Sequence, residues 1–215
     1  PVQHSDLIIA LGARFDDRVT GKLSTFAPEA KVVHLDVDPA EISKNVTATV
    51  PLVGDLKGML PQLTEAVRKA FEAHGRPDIA AWSKRVSEWR EKFPLRYRKD
   101  EPKYIMPQAA VEAIWRKTQG KAIVTTGVGE HQMFAAQWWK TTQPRTFITS
   151  GGLGTMGFCL PAAIGAQLGR PGELVIGTDG DGSFQMTRQD RATAAGLKRP
   201  IRVFIHQNLF LGPVR

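Results

Sequence analysis

The chain has 215 residues, 42% of them hydrophobic and 23% charged; this ordinary globular composition excludes a disordered chain and suits one large or two small domains. No uncharged apolar run reaches the roughly 18 residues that span a bilayer, and the polar segment 1–6, running straight into an apolar strand, carries no expectation of a secretory leader. The formal charge is +8, but residues 68–103 alone hold eleven Lys/Arg against six Asp/Glu, so the excess reads as a solvated or partner-facing helical surface rather than a nucleic-acid groove.

Strand and helix alternate from the start. DLIIALG (6–12) and KVVHLDV (31–37) are β-rich apolar runs leading into polar or glycine-containing turns. VPLVGD (50–55) predicts a third strand, with Asp55 placed to cap the helix after it. That helix carries Leu56, Leu60, Leu63, Val67 and Phe71 on one side and stops at Gly75. Residues 78–93 predict another helix, whose stripe of Ile79, Trp82, Val86, Trp89 and Phe93 is expected to pack into a core. Residues 93–106, with Pro94 and Pro102, show no sustained period and read as a connector.

A second alternating region opens near Met106. Pro107 suits the first turn of a helix bearing Val111, Ile114 and Trp115 and ended by Gly120. Strands are predicted at 121–126, 145–150, 173–178 and 201–206, with helices near 132–139, 161–168 and 185–197. The expected fold class is α/β, with two parallel-sheet units joined by a basic linker.

The most informative stretch is ELVIGTDGDGSFQMT. A buried strand ends in Asp179-Gly180-Asp181-Gly182-Ser183, where open α/β sheets place ligands. Glycines let backbone N–H groups approach a polyanion, and Asp181 offers oxygen to a hard cation. A GDG alone is equally compatible with a plain turn. Asn208 strengthens it: it stands 27 residues on, one helix and one strand away, at the same predicted sheet edge. Magnesium takes one or two protein side chains and completes its octahedron with phosphate oxygens and water. One carboxylate therefore suffices if a diphosphate supplies the other anionic ligands.

This spacing resembles the thiamine diphosphate signature, and nearby segments narrow the match. SGGLGTMGFCLPAAIGAQ (150–167), TGVGEHQMFAAQ (126–137) and GARFDDRVTGK (12–22) look like the large catalytic subunit of the acetolactate synthase (acetohydroxyacid synthase) family, over essentially the whole chain. The resemblance implies Asp181, the Asn208 side chain and the carbonyl of Phe210 as ligands of Mg²⁺. It implies that Val128, Gly129, Glu130, His131, Gly154, Gly180, Gly182 and Ser183 hold thiamine diphosphate. Met156 matches the bulky apolar residue that wedges that cofactor into its bent, reactive shape. From spacing alone Met156 reads as an ordinary core methionine.

In the first region the resemblance implies an FAD site built from Gly12, Arg14, Asp16, Arg18 and Val19 after the first strand, Asp36 and Val37 after the second, and Gly54 and Asp55 after the third. An arginine suits a pyrophosphate and acids suit ribose or adenine. There is no GxGxxG, and a plain folded loop accounts for the pattern as well. Arg18 matches a residue toward the family's substrate entrance, so it stands with Met156 as an expected catalytic position. The implied domains are 1–75, the C-terminal part of a central FAD-binding domain; 76–105, a helix and basic connector; and 106–215, a thiamine diphosphate-binding domain cut short at its C-terminal end.

The implied activity is decarboxylation of pyruvate and carboligation to a second 2-oxo acid, giving 2-acetolactate or 2-aceto-2-hydroxybutanoate for branched-chain amino acid biosynthesis. The family works as homodimers or homotetramers and leaves room for a small regulatory subunit. No nucleic acid or membrane partner is expected. Family chains are much longer, and the glutamate that protonates the cofactor's aminopyrimidine has no counterpart here, so the 215 residues alone are expected to be inactive. Another thiamine diphosphate enzyme (pyruvate oxidase or a sulfoacetaldehyde-type lyase) and a degenerate cofactor-binding module stay open as alternatives.

Three departures from the family pattern stand out. Gln207-Asn208 replaces Asn-Asn, and Leu209 and Pro213 alter a loop that usually contains Gly and Met. Glu130 replaces a usual glutamine. A carboxylate beside a diphosphate is repelled by about 1 kcal/mol or more even in a water-like dielectric, so Glu130 is expected to be neutralised or turned away. Among lone residues, His4, His34 and His74 have no ligand spacing, and His206 is read as strand-end packing. Cys159, the single cysteine, excludes a disulfide framework, fits a reducing cytoplasmic compartment and is read as a buried filler.

Overall fold

The computed structural model describes residues 1–100, 103–198, 200–208 and 212. The chain divides into two compact units, Pro1–Pro94 and Leu95–Arg215. In the first, β1 (Leu7–Leu11), β2 (Lys31–Asp36) and β3 (Val50–Val53) form a parallel sheet in that order. β2 is central and carries the buried set Val32, His34, Leu35 and Asp36. Ala10, Phe15 and Val32 form a small core closed by Ile8, Phe26 and Val46.

The sheet is followed by α2 (Leu56–His74) and α3 (Ala80–Lys92), after the one-turn α1 (Asp17–Thr20) in the loop behind β1. Asp55 caps α2, accepting from the Lys57 N–H at 2.7 Å, and Gly75 ends it. The 19-residue α2 is about 28 Å long, and the strands are about 13–20 Å. Leu56, Leu60 and Leu63 are half-buried, while Val67 and Phe71 are exposed.

The α3 stripe does not enter a core as the periodicity predicts. No α3 residue is buried: Trp82, Val86 and Trp89 are half-buried, and Ile79 and Phe93 are exposed. Trp89 packs instead edge-on to Trp82 at 5.8 Å and against His4 at 5.4 Å. An apolar period reports a potential face; burial also needs an opposing element.

The second unit holds α4 (Pro107–Thr118), β4 (Ile123–Thr126), α5 (Glu130–Trp138), β5 (Phe147–Ile148), α6 (Cys159–Gly169), β6 (Val175–Gly180), α7 (Asp181–Thr187), α8 (Arg191–Gly196) and β7 (Arg202–His206). Its sheet is wholly parallel, in the order β5-β4-β6-β7. Both inner strands are buried along their whole length, as helices on both faces of a parallel sheet require. One core joins Val111, Ala122, Val124, Trp139 and Ile176, and another joins Ile123, Ala163 and Val175. Among the described residues no helix is long and apolar enough to cross a membrane.

The GDG segment is not the plain turn that stood as its alternative reading. Asp179 and Gly180 are still strand, and Asp181 opens α7 directly. The single helix expected over 185–197 is two helices separated by a 3-10 turn at Arg188–Asp190.

Candidate functional site

The strand order of the second sheet reverses at β4. The chain leaves β4 for β5 on one side and returns to β6 on the other, which places the crevice between β4 and β6. Ligands of open parallel sheets bind there, at the carboxyl ends of the strands. A cavity of about 690 Å³ opens at this point, walled by the segments after β4, β6 and β7.

The cavity gathers residues predicted from three distant stretches. Val128, Gly129, Glu130 and His131 line it from the start of α5, Gly180, Asp181, Gly182 and Ser183 from the β6–α7 junction, and Asn208 from beyond β7. Gly154 and Met156 complete the set. Phe210 lies outside the described residues, as do Leu209 and Pro213.

Each side chain is positioned by an identifiable local cause. The first N–H groups of α5 lack intrahelical partners, so the helix start favours an anion at the cavity edge. Ser183 is buried, and its Oγ accepts from the Gly157 N–H at 3.0 Å and from the Val128 N–H at 3.4 Å. It thereby fastens two of the cavity's loops. Glu130 faces Asn208, whose Nδ2 donates to Oε2 at 3.0 Å.

Beneath the cavity lies a buried polar cluster. The Nε2 of His131 lies 3.4 Å from Oδ1 of Asp179, and the two residues are 6% and 0% exposed. Neither His131 Nε2 nor Asp179 Oδ2 has a hydrogen-bond partner. The His131 ring packs against Gly180, where an added Cβ would come within 2.7 Å of Nδ1. His206 stacks on His131 at 6.4 Å and shares a 2.9 Å hydrogen bond with Thr178 Oγ1. Burial foremost, then the neighbouring His131, pushes the His206 pKa below its ordinary value.

Asp179 is absent from the residues expected to act, although it stands inside the most informative motif. Its signal is the first carboxylate of Asp-Gly-Asp, near the carboxyl end of a buried strand, with Gly180 between it and the helix that Asp181 opens. His206 combines the expected strand-end packing with a place in the cavity wall.

The cavity suits a metal-bound diphosphate attached to an aromatic heterocycle. Asp181 and Asn208 bring hard oxygen donors to the lining, and Met156, Ile105, Phe134 and Phe204 bring apolar surface. The buried and unpartnered His131 Nε2 and Asp179 Oδ2 mark the floor as polar. Among the described residues no three His, Cys, Asp or Glu side chains cluster to hold a metal unaided.

The residues expected at an FAD sit together at the carboxyl ends of β1, β2 and β3. Gly12 N–H donates to Leu35 O at 2.8 Å, and Gly54 N–H to Asp36 O at 2.9 Å, so the three strand ends adjoin. The acids act locally. Asp16 caps α1 through the N–H groups of Arg18 and Val19 and pairs with Arg14 at 3.1 Å. Asp36 is buried and accepts from Asp38 N–H at 2.9 Å, and Val37 is exposed. Arg18 lies exposed on α1.

Comparison with known proteins agrees across both units. Residues 127–215 match the family model "Thiamine pyrophosphate enzyme, C-terminal TPP binding domain", and residues 1–63 match "Thiamine pyrophosphate enzyme, central domain". The chain is 47% identical over 214 residues to an acetolactate synthase of Mycobacterium leprae (strain TN), covering 100% of this chain and 34% of the relative. It is 44% identical over 214 residues to the acetolactate synthase isozyme 3 large subunit of Escherichia coli (strain K12), covering 100% of this chain and 37% of that protein. Against the chloroplastic acetolactate synthase 3 of Brassica napus it is 47% identical over 213 residues, 99% of this chain and 32% of the relative. The chain thus spans about a third of the length of these relatives.

Proposed function

We propose, from the premise that this chain belongs to the thiamine pyrophosphate enzymes, that its second unit holds thiamine diphosphate through Mg²⁺ within an acetolactate synthase catalytic subunit. The observation that supports the reading is that Asp181 and Asn208, 27 residues apart, both line the cavity at the strand-order reversal. When bound, thiamine diphosphate supplies the electron sink that lets one 2-oxo acid lose CO2 and be joined to a second. The substrates are pyruvate and, as the second acid, pyruvate or 2-oxobutanoate.

Asp181 and the amide oxygen of Asn208 hold the cation, with the carbonyl of Phe210 as the third protein ligand. The start of α5, from Val128 to His131, meets the diphosphate with N–H groups. Met156, in the cavity lining, would offer a flexible apolar side chain to the heterocycle and help keep water from it. Asp179 braces His131 from below. FAD on the first unit, at the strand ends around Gly12, Asp36 and Gly54, completes the cofactor set, and Arg18, exposed on α1 of that unit, offers a guanidinium to an anionic group. The assembled enzyme is a cytoplasmic homodimer or homotetramer able to take a small regulatory subunit.

Calorimetric titration with thiamine diphosphate and Mg²⁺ tests the reading. Native protein is expected to give a saturable heat that Asp181→Ala abolishes. Identical traces for the two would sink it. An assay for acetolactate from pyruvate, run on the protein that carries this segment, separates this enzyme from a pyruvate oxidase or a sulfoacetaldehyde-type lyase.

A further inference from the structure

We infer that Glu130 is a positioning residue that decides which edge of the Asn208 amide faces the cation; the inference rests on the Mg²⁺–diphosphate reading of the cavity. The two residues stand 78 positions apart, one in the first turn of α5 and one beyond β7, and both line the cavity with Asp181. An asparagine amide carries an oxygen on one edge and an NH2 group of nearly the same size on the other. Its orientation is set by its neighbours.

Glu130 settles it. A carboxyl oxygen accepts where an amide nitrogen donates, and the contact is Nδ2 of Asn208 donating to Oε2 at 3.0 Å. The NH2 edge therefore belongs to Glu130, and Oδ1 lies on the opposite edge of the planar amide. Oδ1 is the atom that a hard cation takes.

Glu130 is itself held in place. Its carboxylate lies against the backbone of Gly212, where an added Cβ would fall 2.6 Å from Oε2. One carboxylate thus ties the start of α5 to the segment after β7. A glutamine at 130 offers both an acceptor and a donor, satisfies the amide in either orientation and removes the bias.

The test is Mn²⁺ affinity in the presence of thiamine diphosphate, read from the electron paramagnetic resonance signal of free Mn²⁺. Outer-shell partners of a metal ligand are worth about 10–100-fold in affinity, so Glu130→Gln and Glu130→Ala are each expected to weaken Mn²⁺ by about tenfold. Asn208→Ala is expected to weaken it at least as much. With Mn²⁺ raised until that variant saturates, adding Glu130→Gln is expected to cause no further loss, because the effect passes through Asn208. Native affinity in both Glu130 variants overturns the inference. So does an equal additional loss in the Asn208→Ala background, which would make Glu130 a direct ligand. Mn²⁺ binding unchanged by Asp181→Ala overturns the reading of the cavity instead.

Discussion

His131 and Asp179 meet 3.4 Å apart in the floor of the cavity, one from the first turn of a helix and the other from the end of the strand beside it. The contact lies within reach of an ion pair, yet His131 Nε2 makes no hydrogen bond by direction and distance together. Asp179 Oδ1 also accepts from the Gly180 N–H at 3.0 Å. The carboxylate therefore serves the strand end and the ring together.

Asp179→Asn is expected to lower stability by about 1–3 kcal/mol, the cost of weakening a buried charged acceptor. The His131 ring signals in nitrogen–proton spectra are expected to move with it. Denaturant unfolding of both single variants and the double variant with His131→Asn measures the coupling. A coupling under about 0.5 kcal/mol means that the two are mere neighbours.

Two glycines make a matched pair of opposite sign. Gly180→Ala drives a methyl to 2.7 Å from His131 Nδ1, and overpacking of this kind costs about 1–3 kcal/mol. Gly165 sits exposed on α6 with nothing within 4 Å of an added Cβ. Gly165→Ala is expected to raise stability by about 0.5–1 kcal/mol through helix propensity. The shift in denaturation midpoint reads both.

Cys159 has 0% of its surface exposed, and burial foremost raises its thiol pKa to about 12. Nucleophilic attack needs the thiolate. Iodoacetamide at pH 8 is therefore expected to leave the native protein unmodified and to label it fully in denaturant. Rapid native labelling, read by mass spectrometry, would contradict the buried filler role.

All seven strands among the described residues were legible in the sequence, because β-rich apolar runs are bounded there by glycine and polar turns. So was the Asp55 cap, which is a local pattern. The α3 stripe was legible as a helix, but its exposure was not, since periodicity does not report what lies opposite. In the cavity, Asp181 and Asn208 stood out through a spaced motif, whereas Asp179 and the Glu130–Asn208 contact did not. Those depend on β4 lying beside β6, a non-local pairing that no short window of residues contains.

Asp16 gives the pH prediction. Its hydrogen bond from Arg14, first among the causes, holds its carboxyl below the ordinary carboxylate value. A depressed folded value means stabilisation that is complete above about pH 4 and lost as the pH falls through the folded value. Acid titration followed by amide exchange at Arg18 and Val19, the two N–H groups that Asp16 holds, is expected to show α1 fraying in that window. Asp16→Ala is expected to fray it at every pH.

The order β5-β4-β6-β7 has a kinetic consequence. Glu130, Asp181 and Asn208 come together only after β4, β6 and β7 have paired across long stretches of chain, and such closures are slow. A nascent molecule thus acquires its binding cavity as one of the last acts of maturation. Any ligand that favours the finished cavity drains the unfinished ensemble by mass action, so the supply of such a ligand during synthesis bears on how much of the chain reaches the folded state.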